Sequence, residues 1–369
     1  MDSPVFGCHY DEGRITRVVS GVRTDQQLAY RSTLKYRTLE KESGISIFSE
    51  VGYGTVGAVA EDDRATAAYA TELDMSDEFC RSNGIRYEVL DEESTREKWR
   101  YFVPPNNSTG RFVKKLSGHL SIRNLVTAAK QVARRNGVCY VDGVVTSARK
   151  CGDIFEINLA TGVIIKSNKL VVACGSFTNF FDFPLHNPID LQLTGHSVMK
   201  FELNEGDREL MKDFPSMNYR YDPTNCDVYL YILPPITYPN GKHYIKLGHT
   251  VNYPSEGLET QLHDIEGVKE WYCMEDHLPA REHFTKYFRQ MFPGIEPVST
   301  ELNHCVMALT RTGKQYIGFD SEGLLVATGG NGASAKMGLE IGFICAQSIV
   351  EGSWDYDLDE KEFRVIYKD

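Results

Sequence analysis

The pattern of hydrophobic and polar positions divides the chain into two styles of structure. Up to about Asp190, helical periodicity alternates with strand-like runs, an arrangement that indicates an α/β fold. The predicted helices are Thr24–Ser43, Asp62–Asn83 and a third that Ser121 caps and Gly137 ends. The predicted strands are Ile45–Val59, Cys139–Val145 and a hairpin of Ile154–Leu159 with Val163–Ser167.

The segment Lys169–Gly175 holds a continuous apolar run. Such a run is typical of a strand that is covered on both faces in a parallel sheet. At the end of the chain the same style returns, with a buried strand over Gly323–Thr328, a glycine-rich turn over Gly329–Ser334 and a helix through about Val350. These two segments predict that the α/β part of the fold is built from distant stretches of sequence.

Between these parts the pattern changes to alternating strands. Antiparallel strands are predicted over Gly195–Leu203, Asp227–Leu233 and His243–Val251, with a turn at Asn240-Gly241 between the last two. Pro279–Phe292 has the periodicity of an amphipathic helix whose apolar stripe faces the core. The whole pattern therefore predicts a nucleotide-type α/β domain interrupted by an antiparallel domain.

Composition narrows the class of protein. The 369 residues include 51 acidic and 40 basic side chains, and the net charge of −11 disfavours nucleic acid or an anionic membrane as the main partner. The apolar runs are too short to span a bilayer, and residues 1–12 do not look like a secretory signal. The nine cysteines form no Cys-x-x-Cys pair, so we expect reduced thiols and no metal site, and the last three residues are not a peroxisomal address. These features predict a cytoplasmic protein.

Two glycine-rich segments are candidates for contact with a cofactor. The first, Gly52–Gly57, matches G-x-G-x-x-G, which allows a dinucleotide-binding turn and an NAD-dependent dehydrogenase. Strand-like residues continue after its third glycine, so small residues in a closely packed strand explain the match as well. The second, Gly329–Ser334, precedes a helix, whose free N–H groups favour an anion. A tight turn required by the fold is the alternative there.

Four further segments are informative because of their order and spacing along the chain. They are Gly13–Arg17, Tyr231 with Lys246–Gly248, His304–Thr310, and Val326–Gly332 continuing to Lys336-Met337. In this order they resemble the sarcosine oxidase branch of the D-amino-acid-oxidase-like flavoenzymes. They are similar to that family's basic segment near the flavin, its active-site Tyr and Lys strands, its segment with the flavin-linked Cys, and its terminal flavin-contacting loop. Val171–Ser176 also resembles the family's second FAD-domain strand. The resemblance extends from about Cys8 to Asp355.

The resemblance implies a Rossmann-like FAD/NAD(P)-binding domain interrupted by an antiparallel substrate-binding domain of α+β type. We expect the FAD-binding domain to comprise residues 1–44, 115–190 and 300–369, and the substrate-binding domain residues 45–114 and 191–299. Family members begin with a strand, a G-x-G-x-x-G turn and a helix before the basic segment, which here already lies at Arg14–Arg17. We therefore expect an N-terminally incomplete FAD-binding domain, in a truncated product or in a variant with impaired FAD binding.

The same resemblance implies the roles of individual residues. Lys246 matches a lysine that activates O₂ beside the flavin, and Tyr231 and His249 are candidate catalytic residues of the pocket. Arg17 and Lys336 match positions that bind the substrate carboxylate. The implied contacts with FAD are Arg14, Val144, Gly175, Cys305, Gly329, Gly330, Asn331, Gly332 and Ala333. Cys305 matches the cysteine that forms a thioether to the flavin.

The resemblance also implies the reaction. We expect an FAD-dependent amine oxidase that converts a secondary or N-methyl amino acid into an imine while O₂ is reduced to hydrogen peroxide. Its partners are then a small amine or amino acid and O₂, with no nucleic acid and no membrane. The alternative is a truncated, non-catalytic flavoprotein-like product that is unable to hold FAD.

Overall fold

The structure, a computed structural model, describes residues 6–59, 64–220, 229–249 and 257–369. Its α-helices are α1 (Arg23–Ser43), α2 (Arg64–Ser82), α3 (Glu92–Lys98), α4 (Ile122–Arg135), α5 (Glu205–Leu210), α6 (Ile265–Cys273), α7 (Leu278–Met291) and α8 (Gly338–Glu351). Its strands in the first half are β1 (Arg14–Thr16), β2 (Phe48–Ser49), β3 (Tyr53–Ala58), β4 (Glu88–Asp91), β5 (Ser108–Val113), β6 (Gly118–Leu120), β7 (Val145–Cys151), β8 (Ile154–Leu159), β9 (Ile164–Ser167) and β10 (Leu170–Val172). Those in the second half are β11 (Leu191–Leu203), β12 (Ser216–Arg220), β13 (Tyr229–Thr237), β14 (His243–His249), β15 (Thr260–Leu262), β16 (Thr300–Thr310), β17 (Tyr316–Ser321) and β18 (Leu324–Thr328).

Within the described residues, the strands pair into four sheets. The large sheet has the order β15-β11-β14-β13-β12-β3-β5-β4, and β16 also pairs with β11. The terminal sheet has the order β10-β18-β17, and β10 and β18 are parallel. The remaining two sheets are a small one of order β1-β6-β2 and a meander of β7, β8 and β9. The mixture of helices, a parallel pair and a long antiparallel sheet confirms the predicted α/β fold class with an antiparallel part.

One face of the large sheet is covered by α7, as the apolar stripe of the sequence predicts. Phe284, Phe288 and Met291 of this helix are fully buried. The ring of Phe288 stacks on Phe201 of β11 at a centroid distance of 4.0 Å. Because α7 takes up this face, the opposite face of the large sheet is left for contacts with the segment around β1.

Two predicted helix ends, Gly44 and Ser121, are confirmed. Gly44 closes α1 in the left-handed conformation, with a φ of +75°, which glycine adopts without steric cost. Ser121 caps α4, and its Oγ accepts a hydrogen bond from the backbone N of Asn124 at 3.3 Å. Tyr36 of α1 and Leu120 of β6 are buried in one cluster with apolar residues of α4. This cluster anchors β6, the strand that pairs with β1.

Three predicted strands differ in the structure. Ile45–Val59 is divided into β2 and β3, which belong to different sheets. Residues 139–144 form no strand, and Val141 and Val144 are more than half exposed. Among the described residues no strand lies beside this segment to complete a ladder, which explains its irregular backbone. The segment Lys169–Gly175 does hold the parallel strand β10, but the expectation that it is covered on both faces is wrong, because Val171 is 38% exposed. Within the described chain, β10 is an edge strand.

The G-x-G-x-x-G match lies in strand β3 and not in a turn between a strand and a helix. A Cβ on Gly54 would lie 3.0 Å from Met217, and one on Gly57 would lie 2.8 Å from Tyr69. The glycines are therefore required by close packing in the large sheet. The alternative of an NAD-dependent dehydrogenase built on this motif is wrong.

Two other expectations concern the chain as a whole. No helix of the described residues is both long enough and apolar enough to cross a membrane. The division into an FAD-binding and a substrate-binding domain stays a prediction. The predicted strands Asp227–Leu233 and His243–Val251 and the start of the predicted helix Asp62–Asn83 lie in part outside the described residues.

Candidate functional site

The candidate site lies on the face of the large sheet that α7 leaves open. Directly opposite residues of antiparallel strands share a face, and so do residues two apart on one strand. Tyr231 is opposite Gly248, two residues after Lys246, and Cys305 is opposite His196, which lies on the same face of β11. The register therefore brings Lys246, Tyr231, His196 and Cys305 to one face, as the sequence predicts for Lys246, Tyr231 and Cys305.

The segment before β1 lies over this face and binds Lys246. The Nζ atom of Lys246 donates to Oδ2 of Asp11 at 2.7 Å and to the carbonyl oxygen of Gly13 at 2.5 Å. Arg14 donates from Nη1 to the same oxygen of Asp11 and from Nη2 to the carbonyl oxygen of Cys8 at 3.1 Å. One carboxylate thus joins two cations in a buried cluster.

Burial and charge act in opposite directions on this cluster. Lys246 is only 1% exposed, and burial lowers its pKa while the carboxylate of Asp11 opposes this effect, which leaves a pKa of about 8. Burial alone would raise the pKa of Asp11, but the charges of Lys246 and Arg14 outweigh burial and hold that pKa well below its usual range. At neutral pH the cluster therefore carries two positive charges and one negative charge.

Cys305 lies beside a second thiol. Cys8 donates a hydrogen bond to the carbonyl oxygen of Val306 at 3.3 Å, and its Sγ lies 3.6 Å from Oη of Tyr272. A hydrogen bond to Cys8, together with burial, raises the pKa of the Cys305 thiol well above its usual value. The sequence predicts Cys305 at this face, but the neighbouring Cys8 is not predicted.

Tyr231 fits against the sheet because its neighbour is a glycine. A Cβ on Gly248 would lie 2.3 Å from Cζ of Tyr231, so the ring lies directly over the backbone of β14. Burial raises the pKa of Tyr231, and the charge of Arg14 lowers it in part. The phenol therefore stays protonated at neutral pH and is available as a hydrogen-bond donor.

A second cationic cluster lies at the other end of the basic segment. The guanidinium of Arg17 lies over the ring of Tyr53 at 4.9 Å, donates to the carbonyl oxygen of Val19 at 2.9 Å and lies 3.6 Å from Oε1 of Glu72. Lys336 is 7% exposed, and its Nζ donates to the carbonyl oxygen of Ala333 at 2.9 Å. Of the two predicted carboxylate-binding residues, Lys336 is thus buried and Arg17 partly buried.

The electrostatics of Lys336 indicate that it can bind an anion. Burial and then the nearby charge of Arg17 lower its pKa, Asp25 opposes both effects, and the net pKa is about 8. Among the described residues no carboxylate lies within ion-pair distance of Lys336. A buried ammonium beside a guanidinium binds a planar carboxylate well, since the Arg fork donates two hydrogen bonds and the ammonium adds charge.

The glycine-rich loop connects the two clusters. Gly329 and Gly332 have φ angles of +74° and +66°, and a Cβ on Gly329 would lie 2.1 Å from Cγ2 of Thr310. Asn331 accepts a hydrogen bond from the backbone N of Thr310 at 2.8 Å and donates to the carbonyl oxygen of Gly329, also at 2.8 Å. The loop is therefore fixed to the end of β16, the strand that carries Cys305.

The helix after this loop begins later than predicted. Ser334–Met337 form a 3₁₀ turn, and α8 begins only at Gly338. Lys336 lies within that turn, where the carbonyl oxygen of Ala333 accepts from its Nζ. The backbone N of Ala333 donates a hydrogen bond to the carbonyl oxygen of Gly330 at 3.0 Å, and this bond also stabilises the loop.

Three further predicted site residues are His249, Val144 and Gly175. His249 is buried at the end of β14, with its ring 4.2 Å from that of His196 and 6.2 Å from that of Phe284 in α7. Val144 is 58% exposed, and Gly175 has open space where a Cβ would be. The catalytic role of His249 and the FAD contacts of Val144 and Gly175 stay predictions.

Asp11 is the functional residue that sequence reasoning missed. It lies three positions before Arg14, but its carboxylate binds a lysine that is 235 positions away in the sequence. The spacing of Asp11 and Arg14 in the sequence indicates a local ion pair between these two residues. It does not indicate that Asp11 also binds Lys246.

The residues around this face carry the cations and hydrogen-bond donors that the ring end of FAD would need, although the segment with Asp11 and Gly13 lies over Lys246 here. His119 and His196 each have a buried Nδ1 that no described residue hydrogen-bonds, so this face has polar capacity for a ligand. Arg14, Lys246, Tyr231 and the loop at Gly329 are the residues that would hold the isoalloxazine ring. The pyrophosphate end is different, since among the described residues the G-x-G-x-x-G sequence is part of β3 and forms no anion cradle.

Comparison with known proteins agrees with this geometry. The family model described as DAO, FAD dependent oxidoreductase, matches residues 7–348. Comparison with curated proteins gives no sequence match. Among solved structures, NikD, an unusual amino acid oxidase essential for nikkomycin biosynthesis, is similar at 17% identity and a TM-score of 0.74, with 98% of this chain and 88% of that chain covered.

Two further solved structures have the same fold. Amadoriase I from Aspergillus fumigatus, a fructosyl amine:oxygen oxidoreductase, matches at 16% identity and a TM-score of 0.70, covering 96% of this chain and 79% of that one. L-proline dehydrogenase from P. horikoshii matches at 15% identity and a TM-score of 0.70, covering 97% and 87%.

Proposed function

Because the chain belongs to the DAO family of FAD-dependent oxidoreductases, we propose that it oxidises the carbon–nitrogen bond of a secondary or N-methyl amino acid. The proposed products are the imine and, with O₂ as electron acceptor, hydrogen peroxide. The single observation that carries the proposal is the buried Lys336 beside the partly buried Arg17, since Lys336 has no carboxylate partner among the described residues.

The two clusters suggest how an amino acid would be oriented. Its carboxylate is bound by Arg17 and Lys336, and its reacting carbon then extends towards the face with Lys246. Such fixed positioning lowers the barrier, because the reacting groups lose less freedom on the way to the transition state. The known structures of this fold include an amino acid oxidase, an amine oxidoreductase and a proline dehydrogenase, which supports this class of substrate.

FAD, when it is bound, supplies the acceptor for the hydride of the substrate and passes electrons to O₂. The residues of the chain act electrostatically on the substrate amine and on O₂. The cations Arg14, Arg17, Lys246 and Lys336 disfavour a protonated substrate amine, so they favour the neutral amine from which a hydride can leave. Lys246 stabilises the negative charge that develops on O₂, since a buried ammonium acts strongly where water is excluded.

We also propose that Cys305 forms a thioether to FAD, in which a C–S bond would replace the S–H bond and a flavin C–H bond, and the two electrons released would pass through the flavin to O₂. Its place on the face with Arg14 and Lys246 supports this, and so does the order of motifs around it. The raised pKa of its thiol means that attachment requires a base, because only a thiolate is nucleophilic. After acid precipitation of the holoprotein, flavin absorbance in the pellet supports attachment, whereas Cys305→Ser should release all flavin and Cys345→Ser should release none.

The proposed function is tested by titrating the purified protein with FAD and then adding amino acids without oxygen. We expect bound flavin with a visible spectrum, bleaching on addition of N-methylglycine or L-proline, and peroxide formation once air is admitted. Glycine, the primary amine matched to N-methylglycine, is the control and should bleach the flavin more slowly. Peroxide distinguishes an oxidase from a dehydrogenase.

A non-catalytic, flavoprotein-like product is the second candidate. The observation in its favour is that the G-x-G-x-x-G sequence lies within strand β3, while the glycine-rich turn at Gly329–Ser334 is the one assigned to the flavin ring. A ligand that binds only the folded state must raise its stability. If FAD leaves both the spectrum and the unfolding temperature unchanged, the second candidate replaces the first.

A further inference from the structure

Asp11 is the centre of the Lys246 cluster. Oδ2 accepts hydrogen bonds from Lys246 at 2.7 Å and from Arg14, while Oδ1 accepts from the backbone N of Glu12 at 2.7 Å and from Oη of Tyr238 at 3.2 Å. The side chain is 18% exposed. Both oxygens are therefore occupied, and the carboxylate is fixed in one orientation.

The surroundings make Lys246 dependent on this carboxylate. The other hydrogen-bond acceptor of its Nζ is the carbonyl oxygen of Gly13, which is neutral. Burial and the charge of Arg14 both disfavour the ammonium, and Asp11 opposes them. Without Asp11, two buried cations would share a site whose remaining partners are carbonyl oxygens.

Charged and titratable groups face Lys246 from each element packed around it. His119 on β6 and His196 on β11 have lowered pKa values because of burial, to which the charge of Lys246 adds, so both rings are neutral. Cys305 on β16 and Tyr231 on β13 stay protonated. Lys200, opposite Lys246 in the register, forms its own ion pair with Glu301 at 2.6 Å. Asp11 is thus the carboxylate that balances Lys246.

We infer that Asp11 is the positioning residue for Lys246: its carboxylate keeps the lysine ammonium charged and directed across the face where Arg14, Tyr231 and Cys305 converge. This inference rests on the proposed function. It states that Asp11 sets the pH range in which the protein transfers electrons to O₂. Asp11 acts through Lys246 and contacts neither the substrate nor the cofactor in this role.

The sign of the pH effect follows from the charges. The ammonium is the form that stabilises negative charge on O₂, so the rate of reoxidation should fall as the pH rises through about 8, the pKa of Lys246. Removing a partner of opposite charge shifts a pKa by roughly 1–3 units. In Asp11→Asn the fall should therefore begin roughly 1–3 pH units lower.

The first test measures Lys246 in the flavin-free protein. Lysine labelled with ¹³C and ¹⁵N gives side-chain NMR signals, and those of Lys246 and Lys336 are assigned by their loss in Lys246→Met and Lys336→Met. We expect Asp11→Asn to lower the pKa of Lys246 and to leave that of Lys336 unchanged. Asp25→Asn is the matched control, because Asp25 raises the pKa of Lys336 and should leave Lys246 unchanged.

Asp11→Glu keeps the charge and tests whether a folding defect explains the result. It should restore most of the Lys246 titration, and unfolding by urea shows whether each variant is folded. If Lys246 titrates at the same pH in Asp11→Asn as in the unchanged protein, the inference is wrong, whether or not the protein binds FAD.

The second test uses the protein loaded with FAD and follows reoxidation by O₂ in a stopped-flow instrument between pH 5 and 9. Reoxidation by Asp11→Asn should match that of the unchanged protein at the lowest pH and fall behind it near pH 8. Slowing by the same factor at every pH would indicate a structural role and overturn the inference. If Lys246→Met does not affect reoxidation while the NMR result holds, the proposed function fails and the Lys246–Asp11 linkage stands.

Discussion

Two buried lysines with the same lowered pKa have different surroundings. Lys246 is balanced by a carboxylate, whereas Lys336 donates to a carbonyl oxygen beside the guanidinium of Arg17. A balanced cation suits a group that must stay in place during a reaction. An unbalanced cation suits a group that receives an anion from solution, which is why we assign the substrate carboxylate to Lys336.

Lys336→Met should stabilise the flavin-free protein. A pKa of about 8 in the folded state, against 10.5 when exposed, costs about 3 kcal/mol of stability at pH 7. Since the folded-state pKa is the lower one, this cost disappears as the pH rises from about 8 to above 10.5. Urea unfolding at pH 7 and pH 10 should show a variant that is more stable at pH 7 and an advantage that shrinks at pH 10. An equal loss of stability at both pH values would contradict the prediction.

Lys246→Met should separate the two halves of the proposed reaction. The ammonium acts on the charge that develops on O₂, and removal of one such electrostatic group costs roughly 10²–10³-fold in rate. We expect reoxidation to slow by this factor and reduction by substrate to change far less, as measured in separate stopped-flow experiments. Lys200→Met, which removes a lysine from the next strand of the same face, is the matched control, and equal slowing of both steps would reject the role of Lys246.

At the residue scale, the resemblance implied Lys246, Arg17 and Lys336 as site residues, and their roles stay predictions. Asp11 was missed because its partner is 235 positions away, and pairing over that distance depends on the folded register. No local pattern carries such information.

At the scale of elements, the helices were predictable because their signals are local. Caps such as Ser121 and Gly44 and the stripe of α7 depend on neighbouring residues only. Strands are harder, since a strand exists only with its partner. Residues 139–144 have a strand-like pattern but lack a neighbouring strand among the described residues, and β10 has a partner on one side only.

The close approach of β3 and β5 gives a test at the scale of elements. A Cβ on Gly110 of β5 would lie 1.9 Å from the backbone oxygen of Thr55, which no side-chain movement can relieve. Gly110→Ala should therefore lower the free energy of unfolding by ~3 kcal/mol or more.

The control for this variant is a glycine in a helix with free space. A Cβ on Gly342 of α8 would have no atom of a neighbouring residue within 4 Å, so Gly342→Ala should raise the stability by ~0.5–1 kcal/mol. Both values are measured by urea unfolding of the flavin-free protein. A tolerated alanine at position 110 would mean that β3 and β5 are farther apart than this packing requires.

At the scale of the whole molecule, the terminal sheet has an open edge. Val171 of β10 is 38% exposed. Unpaired backbone groups on an apolar edge favour pairing with another chain. The flavin-free protein should therefore self-associate through β10.

Val171→Lys tests this expectation. A charge at an edge blocks strand pairing, so light scattering should show less association, while the free energy of unfolding changes by no more than ~0.5 kcal/mol. Val172→Lys is the control, because this neighbour is 2% exposed and a buried charge should destabilise the fold strongly. Unchanged association in folded Val171→Lys would place the contact elsewhere.

The short strand β1 connects the two cationic clusters through its own backbone. Arg14 and Arg17 are three positions apart, which corresponds to roughly 10 Å along an extended chain. If the proposed function is right, this fixed separation of Arg14 and Arg17 sets the distance between the carboxylate of a substrate and its reacting carbon. A single residue inserted between these two arginines would change that distance and leave both charges in place. The preferred length of the substrate would then change without a change in the charge that the site binds.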